Sequence, residues 1–452
     1  MREGCRVSAL THRHHFDALA EAVCRAEGVD RVSLAYNAEA SEFLRFNHSA
    51  LRQATHVLQA EATVAVVRGA RRAEASVVLS GDATKDIRLL RAEASQLAAD
   101  LTNLADDPYL LLPDGASHST RDETGALPSA ATVIDAVHEH ARGLDFVGFY
   151  AGGPVVRAYA DSLGSRHWHR VESFQFNWCL YHAHARDKAV KTAYAGSHWE
   201  AAAFAARVHE AATRAALLGM PARVLEPGAY RAAFSPAAMN ELLGTLGWSG
   251  FGLKARRTGV SSLMRLERGE ARLHSSFHLR EATAEGNAPG FTDDGFVKPA
   301  SVPLVVAGRA AQTLASPRSA REYGVAANGA APEEHPASLS LAPGHLPHDG
   351  LLAALGSGLY VSNLWYLNYS DRQACRMTGM TRFACFWVED GRLHAPLDVM
   401  RFDDSFLRLF SEGLVGLTDR TERVPDSDTY QSRQLASITT PAAVVEGWRL
   451  TL

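Results

Sequence analysis

The sequence predicts an α+β fold whose N-terminal half is of the α/β type and whose C-terminal half is mostly β. Helical stripes of apolar residues alternate with short strand-like runs up to about residue 225, and long helices become scarce beyond it. The chain has 452 residues, of which 46% are hydrophobic, and a single core usually stops growing below this length. We therefore expect two domains, residues 1–225 and 226–452.

The N-terminal half repeats one order of elements twice: a helix, several antiparallel strands and a second helix. In the first repeat, helices are predicted at 11–27 and 84–105, with strands at 32–38, 42–58, 63–69 and 75–81. In the second, helices are predicted at 129–142 and 197–218, with strands at 144–150, 154–160, 173–185 and 188–196. Asp82 is a predicted helix cap, and turns are predicted at Gly69 and Gly152-Gly153. The recurring order indicates an internal duplication.

The C-terminal half is predicted to contain strand pairs joined by turns with glycine. Hairpins are predicted at 304–310 and 386–397, the second with Asp390-Gly391 in a turn of the primed type. The segment 316–324 predicts a short capped helix between strands. The Pro/Gly-rich segment 326–350 predicts an exposed and mobile loop.

One helix in the middle of the chain has a clear predicted start. In FSPAAMNELLGTLGW, residues 234–248, Ser235 can act as N-cap and Pro236 can occupy the first helical position. A helix in the middle of a chain of this length often contributes catalytic or metal-binding residues. Whether this helix does so depends on its polar side chains.

The composition argues against several functional classes. The net charge of -4 and the pI near 6.6 give no overall electrostatic reason to bind nucleic acid or an anionic membrane. No apolar run is long enough to span a membrane, and MREGCRVSALTHRHHF lacks a signal-peptide pattern, so we expect a cytoplasmic protein. The five cysteines are odd in number and widely spaced, which predicts reduced thiols instead of disulfides or a zinc site.

The C-terminal half resembles the PmbA/TldE branch of the TldD/PmbA family, whose members are described as modulators of DNA gyrase and as parts of a metallopeptidase. The segments that carry the resemblance are the predicted helix pair at 224–244, the Asp-Asp-Gly turn and Leu-Val-x-x-Gly hairpin within 283–310, the segment 358–400, and the closing TTPAAVVEGWRLTL at 439–452. The N-terminal half agrees with the family in element order only.

The resemblance implies a two-domain subunit that pairs with a second subunit around a central cavity. In the TldD branch, a His-Glu-x-x-x-His segment on the helix equivalent to 234–248 is thought to bind zinc with help from a C-terminal cysteine. A peptide is thought to lie in that active subunit as an added β-strand, where zinc polarises the scissile carbonyl.

This chain lacks the residues of that zinc site. No histidine lies between Phe234 and Gly247, and no cysteine follows Cys385. Glu241 alone cannot hold a catalytic zinc, which normally takes three protein ligands. We therefore expect no catalytic residue and no metal in this chain, with zinc in a TldD-like partner; the PmbA/TldE branch lacks the motif as well.

An alternative metal site is the pair His274 and His278 in RLHSSFHLREATAE. On a helix the two imidazoles would share a face with Glu281 and Glu285, and on a strand both histidines would point to one side. The sequence leaves both geometries open.

Two further groups of side chains have an ordinary explanation beside a functional one. His167, His169, His182 and His184 alternate along two predicted neighbouring strands, and polar strand faces beside aromatic packing explain them. The aromatic residues of SNLWYLNY are Trp365, Tyr366 and Tyr369. They could line a peptide groove or a subunit interface, or pack in the core.

The function expected from the resemblance is that of a TldE-like, non-catalytic subunit of a heteromeric zinc metallopeptidase acting on unfolded or small modified peptides. The alternative is a homodimeric protein that binds peptides or a protein partner without hydrolysis. A third hypothesis is an independent hydrolase that uses His274 and His278.

Overall fold

The computed structural model of the protein describes residues 10–25, 27–183 and 188–451. In these ranges the chain forms two β-sheets, one before residue 200 and one after residue 227, with helices packed between and on them. Strands that are mostly antiparallel, combined with separate helices, define the α+β class, so the predicted fold class is confirmed.

The first sheet has seven strands in the order β3-β2-β1-β5-β6-β4, with β7 beside β6. The elements of this half are α1 (Arg13–Val23), β1 (Arg31–Asn47), β2 (Ala50–Arg68), β3 (Arg71–Val78), α2 (Ala83–Asp100), β4 (His118–Glu123), α3 (Ala130–His140), β5 (Asp145–Asp161), β6 (Arg166–Tyr181), β7 (Ala189–Gly196) and α4 (Ala201–Leu217). The predicted order of helix, strands and helix therefore occurs twice. The two repeats meet where β1 pairs antiparallel with β5. The strands β2 and β3 lie on one side of this contact, and β6 and β7 lie on the other.

Some predicted strands merge into longer ones. The predicted strand 32–38 and the start of 42–58 are one strand, β1, which turns into β2 at His48-Ser49, both with positive φ. The predicted strands 144–150 and 154–160 are likewise one strand, β5, so the turn predicted at Gly152-Gly153 is wrong.

Gly153 is needed for close approach of two strands. Its φ is +142°, and a Cβ at this position would lie 2.0 Å from the carbonyl oxygen of Ala40 on β1. Only glycine leaves room for a neighbouring backbone at this distance.

The second sheet has thirteen strands, with β20 in its middle. The elements of this half are β8 (Gly228–Phe234), α5 (Pro236–Gly247), α6 (Leu253–Arg257), α7 (Met264–Glu267), β9 (Leu279–Glu281), β10 (Val302–Val306), β11 (Arg309–Ala310), α8 (Pro317–Tyr323), β12 (Ser338–Leu341), α9 (Leu351–Leu355), β13 (Gly358–Val361), β14 (Trp365–Asp371), β15 (Arg376–Met380), β16 (Phe386–Glu389), β17 (Arg392–Pro396), β18 (Arg401–Ser405), α10 (Phe406–Leu409), β19 (Leu414–Pro425) and β20 (Ser437–Leu450). The strand β20 pairs with β8, β12, β18 and β19, so the closing segment of the sequence joins most of this sheet.

In this half, the sequence correctly predicts the structures that depend on a turn or a helix cap. Both predicted hairpins form, β10–β11 and β16–β17, and Asp390-Gly391 has the two positive φ angles of a primed turn. The predicted helix pair at 224–244 is wrong, because 228–234 is the strand β8. The predicted loop 326–350 is wrong in part, because it contains β12, whose four residues are buried between β9 and β20.

Three apolar clusters hold these layers together. One lies between α1, α2 and the first sheet, and another lies between α5 and the second sheet. The middle cluster takes side chains from both halves, among them Phe176, Phe204 and Phe386. The two sheets therefore share a core, and the boundary between residues 225 and 226 stays a prediction.

None of the described helices combines the length and apolar character needed to cross a bilayer. In the described ranges, Cys24, Cys179, Cys375 and Cys385 are free thiols, and Cys5 lies outside those ranges.

Replacing Gly153 by alanine is expected to lower the free energy of unfolding by about 2 kcal/mol or more, since the methyl group would overlap the β1 backbone. Gly115→Ala is the matched control, because nothing lies within 4 Å of a Cβ added there. Urea unfolding of both variants measures the difference. Equal stability of the two would contradict the close approach of β1 and β5.

Candidate functional site

A cavity of about 1360 Å³ lies where the two halves meet. Its walls are β7, α4, α5, the connection from β13 to β14, and both ends of the segment between β19 and β20. The volume exceeds the roughly 300–1,000 Å³ typical of small-molecule sites, so the cavity has room for several residues of an extended peptide.

The helix α5 forms one wall of this cavity. The Ser235 hydroxyl accepts a hydrogen bond from the Ala238 N–H at 3.2 Å, and Pro236 occupies the first helical position, as predicted. Met239, Leu242 and Leu246 are buried in the core of the second half. The opposite stripe faces the cavity and includes Ala237, Asn240, Glu241, Gly244 and Thr245, with Trp248 directly after the helix. The helix is therefore a packing element with one polar stripe.

Glu241 is the acidic residue that this stripe presents. The Leu364 N–H donates to one carboxylate oxygen, and the Lys191 ammonium lies 3.6 Å from the other. The Glu241 side chain is 20% exposed, and burial raises its pKa to about 6, an effect that Lys191 and the backbone donor only partly offset. An acid that titrates near neutral pH in a cavity is a typical functional group.

The stripe does not fit a catalytic zinc. If Glu241 is matched to the glutamate of His-Glu-x-x-x-His, Asn240 and Thr245 stand at the two histidine positions. Thr245 is buried, and its hydroxyl donates to the Glu241 carbonyl at 3.0 Å. Among the described residues, no group of three or more His, Cys, Asp or Glu could hold a metal ion. One carboxylate falls short of the three protein ligands such a site needs.

His274 and His278 lie outside this cavity and on no helix. The His274 Nδ1 is 2.7 Å from the Ser276 hydroxyl within a turn, so the helical geometry is wrong. The His278 Nδ1 accepts a hydrogen bond from the Ala307 N–H at 3.3 Å. Glu281 is buried on β9 and accepts from two backbone N–H groups. The helical face of two imidazoles and two carboxylates therefore does not form.

The predicted placement of the other histidines on two neighbouring strands is also wrong. His167 and His169 lie on one strand, β6, whereas His182 follows its end and His184 lies outside the described residues. The first two are buried and share one face of the sheet.

These two histidines contact the segment 282–301, which connects β9 to β10. The Asn287 carbonyl accepts a hydrogen bond from the His169 Nε2 at 2.9 Å, and the Phe291 ring stacks on His167 at 4.9 Å. Burial lowers the pKa of His169 to about 4, with Asn287 opposing the shift, so the ring is neutral at physiological pH. The pair thus fastens the second half to the first sheet.

Two predicted aromatic residues lie at the cavity rim. Trp365 is 37% exposed and Tyr366 is 78% exposed, and both line the cavity. Tyr369 instead points into the protein, where its hydroxyl lies 2.9 Å from that of Ser262. Trp248, which is 52% exposed, also lies at the rim, one residue beyond α5. No pattern in the sequence predicts that this residue lines the cavity.

The segment 426–436 closes one side of the cavity. This segment, which we call the strap, connects β19 to β20. Its buried Arg433 donates to the Gly153 carbonyl at 2.8 Å and to the Ser173 carbonyl at 2.7 Å, both in the first sheet. The Arg433 N–H also donates to Glu39. The strap therefore ties β20 of the second sheet to β1, β5 and β6 of the first.

Comparisons with known proteins agree with this architecture. Residues 227–451 match the model of the PmbA/TldA metallopeptidase C-terminal domain. The crystal structure of TldE from Thermococcus kodakarensis has a TM-score of 0.80 at 12% identity and covers 97% of this chain and 100% of its own. A candidate modulator of DNA gyrase from Thermotoga maritima has a TM-score of 0.75 at 14% identity and covers 97% of this chain and 99% of its own.

A further candidate modulator of DNA gyrase, from Bacteroides thetaiotaomicron, has a TM-score of 0.71 at 13% identity, and the match covers 98% of each chain. At these identities the solved structures support a shared fold across both halves. A sequence search of curated proteins gives no match.

Replacing Glu241 by glutamine is expected to raise the free energy of unfolding at pH 8 by about 1–2 kcal/mol. The folded-state pKa is raised from 4.5 to about 6, so the stabilisation that Glu241 offers below pH 4.5 is lost as the pH rises through 6. Glu226→Gln, at an exposed position, is the control. Urea unfolding at pH 4 and pH 8 should show a much larger gain at pH 8, and a loss there would contradict the effect of burial on the carboxylate.

Replacing His169 by glutamine is expected to flatten the dependence of stability on pH. The pKa of His169 is lowered from 6.5 to about 4 in the folded state. The neutral ring therefore stabilises the folded protein fully above pH 6.5, and this stabilisation is lost as the pH falls through 4. The wild type should lose up to about 3 kcal/mol more than the variant between pH 7 and pH 4. His209→Gln, exposed on α4, should keep the wild-type slope, and an unchanged slope in His169→Gln would refute the assignment.

Proposed function

Because this chain belongs to the TldD/PmbA family, we propose that it is the TldE-like, non-catalytic subunit of a zinc metallopeptidase whose zinc lies in a TldD-like partner. Unfolded or small modified peptides are the substrates of the complex. The partner's zinc would polarise the scissile carbonyl, and this chain would complete the chamber in which the peptide is held. We place the complex in the cytoplasm.

The stripe of α5 that faces the cavity carries this proposal. It keeps one glutamate, Glu241, and has Asn240 and Thr245 where histidines would be needed. The rest of the helix keeps the cap and the apolar side that the fold requires. Such a helix preserves the wall of a chamber while it leaves the bond-breaking chemistry to another subunit.

Features of the cavity support the binding of an extended chain. In the described part of the structure, β7 pairs only with β6 and β14 pairs only with β15, so each has a free edge. Both edges border the cavity. A peptide added to a free edge gains backbone hydrogen bonds whatever its sequence, which suits the processing of unfolded chains.

The side chains around the cavity are already paired with one another. Arg207 lies 3.1 Å from Glu422, and Arg214 lies 2.6 Å from Glu210, in addition to the pair of Lys191 and Glu241. A peptide would therefore meet compensated charges and aromatic rings, which is consistent with weak selectivity for its side chains.

The alternative is a homodimer that binds peptides or a protein such as DNA gyrase without cleaving them. The cavity in the isolated chain is the observation that favours this alternative. It differs from the first proposal in needing no zinc-bearing subunit.

The chain purified alone is expected to contain no zinc and to leave an unfolded peptide intact, whereas its complex with a co-expressed TldD-like subunit binds zinc and cleaves the peptide. Metal analysis and peptide mass spectrometry measure both properties. In the complex, Glu241→Gln should leave the zinc content unchanged, because the carboxylate is no ligand in this chain.

A histidine-to-alanine change in the partner's motif is the matched control and should remove zinc and cleavage together. Stoichiometric zinc and peptidase activity in the isolated chain would refute the proposal and favour the hydrolase based on His274 and His278. Peptide binding by a stable homodimer, with no complex formed, would favour the alternative.

A further inference from the structure

The lining of the cavity carries more acidic than basic side chains. Its cations are Lys191, Arg207 and Arg214, and its anions are Glu210, Glu241, Asp349, Glu422 and Asp426. With the histidines neutral, three positive and five negative groups give the lining a net charge of -2. A concave site with an excess of one charge concentrates ligands of the opposite charge. The cavity therefore favours a positively charged ligand.

The two arginines of the lining are already engaged. Arg207 lies 3.1 Å from Glu422, and Arg214 lies 2.6 Å from Glu210. Each guanidinium also covers a tyrosine ring, at 5.7 Å and 5.3 Å from the ring centre. An acidic group of a peptide would have to displace a carboxylate from one of these arginines. The cavity is therefore poorly suited to an acidic ligand.

Asp426 faces the cavity at the start of the strap, and within the described ranges its carboxylate makes no ion pair. Its Oδ1 atom accepts a hydrogen bond from the Asp428 N–H at 2.9 Å, and its own N–H donates to the Ala436 carbonyl at 2.8 Å. Asp349 lies 3.4 Å from Arg420, but both side chains are largely exposed, and such pairs are weak. Both carboxylates are therefore available to a ligand cation.

Glu241 is paired with an internal cation that a ligand could replace. The Lys191 ammonium lies 3.6 Å from its carboxylate, which is longer than the about 2.7–2.9 Å typical of a charge-assisted hydrogen bond. The Lys191 side chain is 44% exposed, so it can turn into solvent. Burial raises the pKa of Glu241 to about 6, which means that the surrounding groups stabilise the carboxylate incompletely. A ligand ammonium or guanidinium that donates directly to it would stabilise it further.

The aromatic residues of the rim suit the same kind of ligand. Trp248 follows α5 on the stripe that carries Glu241, about two turns further along the helix. Its side chain is 52% exposed, and that of Tyr366 is 78% exposed. The face of an aromatic ring attracts a cation and also packs against an apolar side chain. The rings alone do not distinguish the two, so the carboxylates decide in favour of the cation.

We propose that the cavity selects extended peptide segments that carry a lysine or arginine side chain, with Glu241 and Asp426 as the residues that determine this preference. The inference rests on the proposed function and names the substrate class within it. A free strand edge binds the peptide backbone whatever its sequence, and the carboxylates add a preference for a positive side chain. Lys191 competes for Glu241 and moves aside when the peptide cation binds.

The test compares three unstructured peptides that differ in one central residue, which is lysine, norleucine or glutamate. Each is acetylated at its amino end and amidated at its carboxyl end, so the central side chain carries the difference in charge. Isothermal titration calorimetry with the purified full chain at pH 8, where Glu241 is ionised, measures the dissociation constants. The lysine peptide should bind at least fivefold more tightly than the norleucine peptide, and the glutamate peptide should bind most weakly. High salt should reduce this preference.

Three variants assign the preference to named residues. Glu241→Gln/Asp426→Asn should bind the lysine and norleucine peptides with less than a twofold difference, while its affinity for the norleucine peptide stays within twofold of the wild type. Asp114→Asn/Glu226→Gln, which neutralises two exposed carboxylates outside the cavity, should keep the wild-type preference. Lys191→Gln should bind the lysine peptide at least twofold more tightly than the wild type does, a gain that a purely structural ion pair would not give. Circular dichroism and urea unfolding show that each variant is folded.

Four outcomes overturn the inference. If the wild type binds the three peptides equally, or the glutamate peptide best, the cavity has no preference for a cation, while cleavage by the complex with a TldD-like subunit still supports the proposed function. If the double variant of the cavity keeps the full preference, Glu241 and Asp426 do not determine it. If a norleucine peptide with a free amino end binds as tightly as the lysine peptide, the carboxylates recognise an amino terminus instead of a side chain. If neither the chain nor its complex binds any of the peptides, the inference fails, and absence of cleavage by the complex shows that the proposed function fails with it.

Discussion

The apolar core shared by the two sheets is the constraint on which the site depends. Phe204 of α4 stacks on Phe176 of β6 at 5.5 Å and packs against Trp178 at 5.4 Å, within the cluster that also contains Tyr360 and Phe386 of the second sheet. Burying aromatic rings of this size supplies much of the free energy that holds such layers together. Because α4 and β7 belong to this layer, the core sets the distance across the cavity to α5.

The parts of the fold that the sequence predicts are those decided by near neighbours along the chain. The cap at Asp82, which accepts from the N–H groups of Thr84 and Lys85, and the turn at Asp390-Gly391 depend on a few adjacent residues. The strand β12 depends on partners far away in sequence, so its small and polar neighbours suggested a loop. Gly153 was predicted as a turn residue because its contact with Ala40, which lies more than 100 residues away in sequence, cannot be recognised from the neighbouring residues.

The candidate site likewise has features that the sequence predicts and features that only the structure reveals. The absence of histidine from 234–248 is readable from the sequence, and so are the aromatic residues of 362–369. The pairing of Glu241 with Lys191, and the burial that raises the pKa of this carboxyl, arise only when β7 meets α5. Arg433 could not be singled out, since its partners in the first sheet are more than 250 residues away.

The attachment of the strap by Arg433 has a mechanical consequence. A hinge motion between the halves would have to break the hydrogen bonds of a buried guanidinium to Gly153 and Ser173, and an unpaired charge in that position is costly. These hydrogen bonds therefore oppose a change in the spacing of the cavity walls. Under the proposed function, a peptide would enter a cavity whose walls are already in place, so its binding would cost little free energy for closure.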